Sequence, residues 1–248
     1  MQRLKLIYFL ALTAALSACQ NTYYPTGRTY NRIEVDATTQ ADTGMSRFLQ
    51  PYKQQLDQTM TEMLVRSDVS LEKGKPESAI NNLLADALRQ EAGKRYGKPI
   101  DIGHLNYSGV RSGLPKGPIT VGNIYEVMPF DNQITVLTLK GSQVMQLLNH
   151  FLKDEALVIS GLRATIANDK VQSVTLANGK PLQPDETYTV AMSDYVANGG
   201  SGASFLKDAV RREDLNVNIR DAFIDYFRQL GKAGQPINPT TDGRITIQ

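Results

Sequence analysis

Apolar positions along this chain change period several times, and each change marks an element. Met45, Phe48, Leu49, Tyr52, Leu56, Met60 and Met63 recur mostly at three- and four-residue steps. This predicts an amphipathic helix whose stripe joins the core, with Pro51 starting or kinking it. A second helix is predicted after Pro76 and Glu77, which suit a first turn. Ile80, Leu83, Leu84, Ala87, Leu88 and Ala92 share its inner face, and Gly97 stands beyond its end. Pro99 to Leu105, Pro118 to Val121 and the β-branched run Asn132 to Lys140 read as strands. Gly141 then opens a helix carrying Val144, Met145, Leu147, Leu148, Phe151 and Leu152. Strands follow at Leu157 to Ile166, Val171 to Leu176 and Thr187 to Ser193. Ala177-Asn178-Gly179-Lys180 predicts a hairpin turn, because Asn-Gly tolerates positive φ. Ser204 to Val210 reads as a short helix and Val217 to Leu230 as a longer one, with Ile219, Phe223, Tyr226, Phe227 and Leu230 inward; Gly243 to Gln248 closes with a strand. Helices and strands interleave, so the fold class is α/β or α+β with a mixed sheet.

The first residues follow a different rule. Arg3 and Lys5 precede an apolar run from Leu6 to Leu16, and Leu16-Ser17-Ala18-Cys19 follows. That pattern is a secretory signal with a small-residue cleavage site, too short for a membrane span. Its ending resembles a bacterial lipobox, in which the cysteine becomes a lipidated N-terminus; the plainer reading is a signal peptide with an incidental cysteine. Cys19 is the only cysteine, so no disulfide forms within the chain. The expected organisation is a signal over 1–18, a polar tether over 19–39 and one domain over 40–248. Gln20 after the cysteine, by resemblance to enterobacterial lipoproteins, points to the outer membrane of a Gram-negative envelope. Lys and Arg total 27 against 25 acids, and Arg3 and Lys5 fall in the signal, so the remainder is balanced at 25 each. That balance gives no support to a nucleic acid polymer as partner, and it assigns membrane attachment to lipid rather than charge.

Catalytic chemistry is thinly supplied. Only His104 and His150 are present, with no HExxH or Cys/His cluster, so a transition-metal centre lacks nitrogen and sulfur ligands. Gly200-Ser201-Gly202 does not have the spacing of a nucleophile elbow. His104 reads as a structural strand-end residue and His150 as a surface or second-layer one. Binding chemistry is richer. Asn106-Tyr-Ser-Gly-Val-Arg111, Pro129-Phe-Asp-Asn132 and Tyr195-Val-Ala-Asn-Gly-Gly-Ser-Gly202 each flank a predicted strand. Arg111 suits a carboxylate, phosphate or sugar hydroxyl, or else pairs with an acid or caps a carbonyl. Phe130 taken singly reads as a core plug. The loop holding Asn198, Gly199, Gly200 and Ser201 is an anion nest or a tight turn. Together, Phe130, Tyr195 and Arg111 suit a flat heterocycle held between rings.

Five blocks in order carry a wider resemblance: Glu77 to Arg89, Asn106 to Arg111, Gly117 to Phe130, Leu139 to Val144 and Tyr195 to Gly202. From about residue 40 onward the chain resembles the C-terminal domain of the 5'-nucleotidase family. The resemblance implies a four-layer α/β/β/α fold that recognises a nucleoside or nucleotide. It also implies that ester hydrolysis belongs to a metallophosphatase domain with two metal ions, here expected on a separate polypeptide. On that reading this chain carries no cofactor and no catalytic residue and is inactive alone; divalent metals belong to the partner. By the same resemblance Phe130 and Tyr195 sandwich the base, Asn106 lies near it, and Arg111 reaches toward phosphate. Tyr107 and Ser108 replace family glycines. Ser201 replaces an Asp that accepts from ribose hydroxyls, and Pro76 replaces an Arg, with Lys73 and Lys75 nearby. Two rival readings are a nucleoside-binding envelope lipoprotein that needs no enzyme, and an interaction protein whose pocket Tyr107 has filled.

Overall fold

The computed structural model describes residues 27, 30, 32–34, 36, 38–154, 156–234 and 236–248. The predicted signal and Cys19 lie outside them. The chain divides into two units, Met1–Phe48 and Leu49–Gln248. In the first, the Asp36 side chain accepts from the Thr38 N–H at 2.8 Å.

Helix α1 (Thr43–Met60) starts where the Asp42 carboxylate accepts from the Met45 N–H at 2.8 Å. It corrects the first expectation in one way: no residue of α1 is buried; of the two places allowed for Pro51, it lies inside the helix. Periodicity shows that a helix has an apolar face; it does not say that anything covers it. Met63, taken as the last member of the stripe, instead begins strand β1 (Met63–Ser67). Among the described residues no helix is long and apolar enough to cross a membrane.

Helix α2 (Ala79–Tyr96) is held at both ends as its sequence requires. Ser78 accepts from the Asn81 N–H, and Gly97 ends the helix at φ 76°. Strand β2 (Ile102–Leu105) follows, then β3 (Gly117–Thr120), which pairs antiparallel with β1 in a two-stranded sheet. Helix α3 (Val121–Val127) opens on a capping box between Thr120 and Asn123. Next come β4 (Gln133–Lys140), α4 (Gly141–Phe151), β5 (Val158–Ser160), β6 (Leu162–Ala167), β7 (Lys170–Leu176), β8 (Thr187–Ser193) and the short α5 (Asp194–Ala197). Strand β9 (Arg211–Asn218), α6 (Ile219–Lys232) and β10 (Ile245–Ile247) complete the order.

The mixed α/β class is what is found. A five-stranded sheet, β5-β2-β8-β4-β9, is buried on both faces. Ile134 and Val136 of β4, with Leu105 and Ala191, join one core with α2, α3 and α6. Leu137, Leu139, Val190, Met192 and Ile102 point the other way, into a second core with α4 and the three-stranded sheet β10-β6-β7. Side chains alternate across each strand, so one strand feeds both cores.

Three elements differ from the sequence reading. The single strand expected from Leu157 to Ile166 is two strands in different sheets, broken at Gly161. Gly161 has φ +84°, and a Cβ there would lie 1.9 Å from the Asp101 carbonyl oxygen. Only glycine lets the chain turn so close to that backbone. Strand β9 opens on Arg211, Arg212, Glu213 and Asp214 at a sheet edge, a charge run followed by only a short alternation at Leu215 and Val217. The Asn178-Gly179 turn forms, with Gly179 at φ +80°, but the returning chain makes only an isolated bridge between Thr175 and Pro181.

Candidate functional site

Sheet topology gathers the three loops. Strands β2 and β8 run parallel, with Ile102 opposite Val190, so both end at the same edge. Strand β4 runs antiparallel to β8, with Ile134 opposite Ser193, so it begins at that edge. The Asn106–Arg111 loop leaves β2, the Phe130 turn enters β4 and the Tyr195 loop leaves β8. Cross-links join them: the Asp194 carboxylate accepts from the Gln133 N–H at 3.1 Å, and the Arg111 N–H donates to the Val127 carbonyl at 2.9 Å.

In the first loop Asn106 is buried and turned inward. Its side-chain amide donates to Ser108 Oγ at 3.0 Å, and its backbone carbonyl accepts from the Gly109 N–H at 2.9 Å. Arg111 is exposed; it donates to the Ser108 carbonyl at 3.3 Å, and its guanidinium carbon lies 5.9 Å from the Phe130 ring centroid. Among the described residues its charge thus meets a carbonyl and a ring rather than an acid. Tyr107 is half-buried and packs against the first core. The Lys73 ammonium stands 4.2 Å from its ring centroid and donates to the Val110 carbonyl, with the Lys75 ammonium 5.6 Å from the same ring. Burial, then the charges of Arg111 and Lys75, hold the Lys73 ammonium below the ordinary lysine range. Three cations therefore sense one another at this edge.

The two aromatic rings face outward. Phe130 is 41% exposed and Tyr195 49%, so neither is a core plug. Arg220, at the start of α6, holds the Phe130 turn: it donates to the Phe130 carbonyl at 3.3 Å and to Asp131 at 2.6 Å, with its guanidinium 4.2 Å from the Tyr125 ring centroid.

The third loop is a tight turn rather than an anion nest, because its N–H groups are largely used internally. Asn198 N donates to the Asp194 carbonyl at 2.8 Å, Gly199 N to Val196 at 2.9 Å and Ala203 N to Gly200 at 3.1 Å. Ser201 N donates to the Tyr195 hydroxyl at 3.1 Å, and the Asn198 side chain accepts from Arg212 at 2.7 Å. A Cβ on Gly200 would lie 2.6 Å from the Tyr195 ring, so only glycine fits there. The Ser201 N–H, then its side chain, hold the Tyr195 phenol below the ordinary range.

His104 is fully buried, with its ring 4.5 Å from that of Phe151 and its pKa pushed down to about 3 by burial and then by His150. It is a core residue, in keeping with its strand. His150 donates from Nε2 to the Ser201 carbonyl at 2.8 Å. Sequence reasoning missed Arg220 and the use made of His150, because both act on loops distant in sequence. Among the described residues no group of three or more His, Cys, Asp or Glu is placed to hold a metal ion. Two cavities, of about 550 Å³ around Arg89, Gly93 and Pro99 and about 960 Å³ around Asn149, Ile166 and Ile247, are lined by residues outside these three loops.

Fold and loops together define a mixed-sheet α/β domain whose aromatic and cationic groups are gathered at one sheet edge. The chain belongs to the family described as 5'-nucleotidase, C-terminal domain, whose pattern matches residues 56–208. A trifunctional nucleotide phosphoesterase of Bacillus subtilis is 28% identical over 239 residues, covering 86% of this chain and 16% of that protein. A cell wall protein of Listeria monocytogenes is 32% identical over 184 residues, covering 68% of this chain and 23% of that one. The crystal structure of a 5'-nucleotidase precursor from Thermus thermophilus superposes with a TM-score of 0.72 at 30% identity, covering 82% of this chain and 42% of that one. The chain thus spans less than half the length of each of these relatives.

Proposed function

We propose that this chain recognises a nucleoside or nucleotide, holding the base between Phe130 and Tyr195 and directing a phosphate toward Arg111 and Lys73. The observation that carries the reading is the pair of outward-facing rings at one sheet edge, with the Arg111 guanidinium beside one of them. Asn198, Gly199, Gly200 and Ser201 support this site by shaping the Tyr195 face, and Asn106 by bracing the loop that carries Arg111. Phosphate ester hydrolysis, in nucleotide catabolism or salvage, falls to a metallophosphatase on a separate chain, which also holds the divalent metals. With two histidines and one cysteine, this polypeptide has few ligands for such a centre. Lipidation at Cys19 would place the domain in the cell envelope, at the outer membrane.

Calorimetric titration with AMP and adenosine tests the recognition step. We expect AMP to bind, and Phe130→Ala and Tyr195→Ala each to cost about 1–3 kcal/mol of binding free energy. Unchanged affinity in both variants would contradict it. The purified protein with added divalent metal should release no phosphate from AMP; robust turnover would contradict the division of labour. The internally bonded Gly199–Gly202 loop favours one alternative, an enzyme-independent nucleoside-binding lipoprotein, because it offers phosphate little. Equal affinity for adenosine and AMP would select it.

A further inference from the structure

We propose that His150 is a positioning residue for the Tyr195 face of the site, acting through the backbone of Ser201. The proposal rests on the stacking reading above and adds a residue to it. His150 sits near the end of α4, half-buried between two rings: Phe151 at 5.0 Å and Phe205 at 5.6 Å between centroids, both edge-on. Those contacts fix its imidazole. Its Nε2 lies 2.8 Å from the Ser201 carbonyl oxygen. A carbonyl only accepts, so Nε2 carries the hydrogen.

Ser201 needs such an anchor. It is a non-glycine residue in the left-handed region, at φ 53°, ψ 23°. That conformation is strained for a residue with a Cβ and persists only where its surroundings hold it. His150 holds the carbonyl of Ser201, while the N–H of the same residue donates to the Tyr195 hydroxyl at 3.1 Å. The path is therefore His150 to Ser201 to Tyr195, with one strained residue as its middle link. Little slack remains beside it. A Cβ on Gly200 would lie 2.5 Å from the Tyr195 carbonyl oxygen and 2.6 Å from its ring. The tyrosine is tethered at its hydroxyl edge while the residue stays 49% exposed. That is what a stacking surface needs: an open face whose orientation is set before the ligand arrives. The lowered phenol pKa of Tyr195, caused by the Ser201 N–H and then its side chain, agrees with this tether.

The test compares His150→Phe, which keeps a ring between Phe151 and Phe205 but has no donor, with His150→Gln, which restores an N–H. Two readouts are taken on the full protein: AMP affinity by calorimetry, and titration of the Tyr195 phenol in ¹³C-tyrosine-labelled protein, with the resonance assigned through Tyr195→Phe. In His150→Phe we expect Tyr195 to titrate at higher pH than in the wild type and AMP to bind about five- to tenfold more weakly. His150→Gln should recover both. If His150→Phe does not fold, His150→Ala against His150→Gln makes the same comparison. Wild-type affinity and an unmoved Tyr195 titration in the donor-less variant would overturn the positioning role and leave the stacking reading standing. Failure of the wild-type protein itself to bind AMP or adenosine would overturn the stacking reading and the role with it.

Discussion

His104 shows how a single buried group makes this fold sensitive to acid. Both of its ring nitrogens lack a hydrogen-bond partner among the described residues, and its pKa is pushed down to about 3 from an ordinary 6.5. Between those two pH values the unfolded chain binds a proton that the folded chain refuses. Stability therefore rises with pH through that window and is lost as pH falls through it. His104→Leu removes the titration and an unpaired buried donor together. In denaturant titrations at neutral pH and near pH 4, the variant should lose less stability on acidification, by up to about 1 kcal/mol per pH unit. Parallel losses in the two proteins would remove His104 from the account. Among the site residues, Phe130, Tyr195 and Arg111 were legible in the sequence because each sits in a loop next to a strong strand signal. Arg220 and His150 were not. Their partners, the Phe130 carbonyl and the Ser201 carbonyl, are backbone atoms 90 and 51 residues away, and no residue type advertises such a contact.

Elements buried on both faces were read from sequence almost to the residue, as β4 and β8 show, because continuous β-branched and apolar runs have no competing explanation. Elements whose existence depends on a partner were not. β9 is a charged edge strand created by pairing with β4, and β1 was absorbed into the periodicity of α1. Gly161 marks the corner where the chain leaves the five-stranded sheet for the three-stranded one, and it carries the sharpest prediction at this scale. Gly161→Ala must relieve both a positive φ and a Cβ placed 1.9 Å from the Asp101 oxygen. The variant should lose at least about 2 kcal/mol in chemical denaturation. A wild-type unfolding midpoint would show that the β5–β6 corner is soft, contrary to the packing described.

Across the whole molecule, charge is balanced outside the predicted signal, so no global field steers a ligand. What attraction exists for an anion is local, from Lys73, Lys75 and Arg111 beside Tyr107 and Phe130. Raising salt from about 0.05 M to about 0.5 M should therefore weaken AMP binding several-fold while leaving adenosine nearly unaffected. An equal response of the two ligands would remove the cations from the site. The C-terminal segment is fastened by Arg244, which is nearly buried and bonds Asp86 at 2.9 Å, Asp242 at 2.9 Å and the Ile159 carbonyl at 2.8 Å. Burial opposes its charge, but the bonds to Asp242 and Asp86 outweigh that and raise its pKa. The mixed α/β class was legible from interleaved periods, and the family from blocks of loop residues. The assignment of strands to three sheets was not, since it turns on a glycine and on pairings that only the folded chain reveals.

The most direct measurement of the central claim is a crystal structure of the protein grown with AMP. The account predicts the adenine stacked between the Phe130 and Tyr195 rings, with its phosphate toward Arg111 and Lys73. Adenine bound elsewhere, or both rings left in open solvent at saturating AMP, would contradict it.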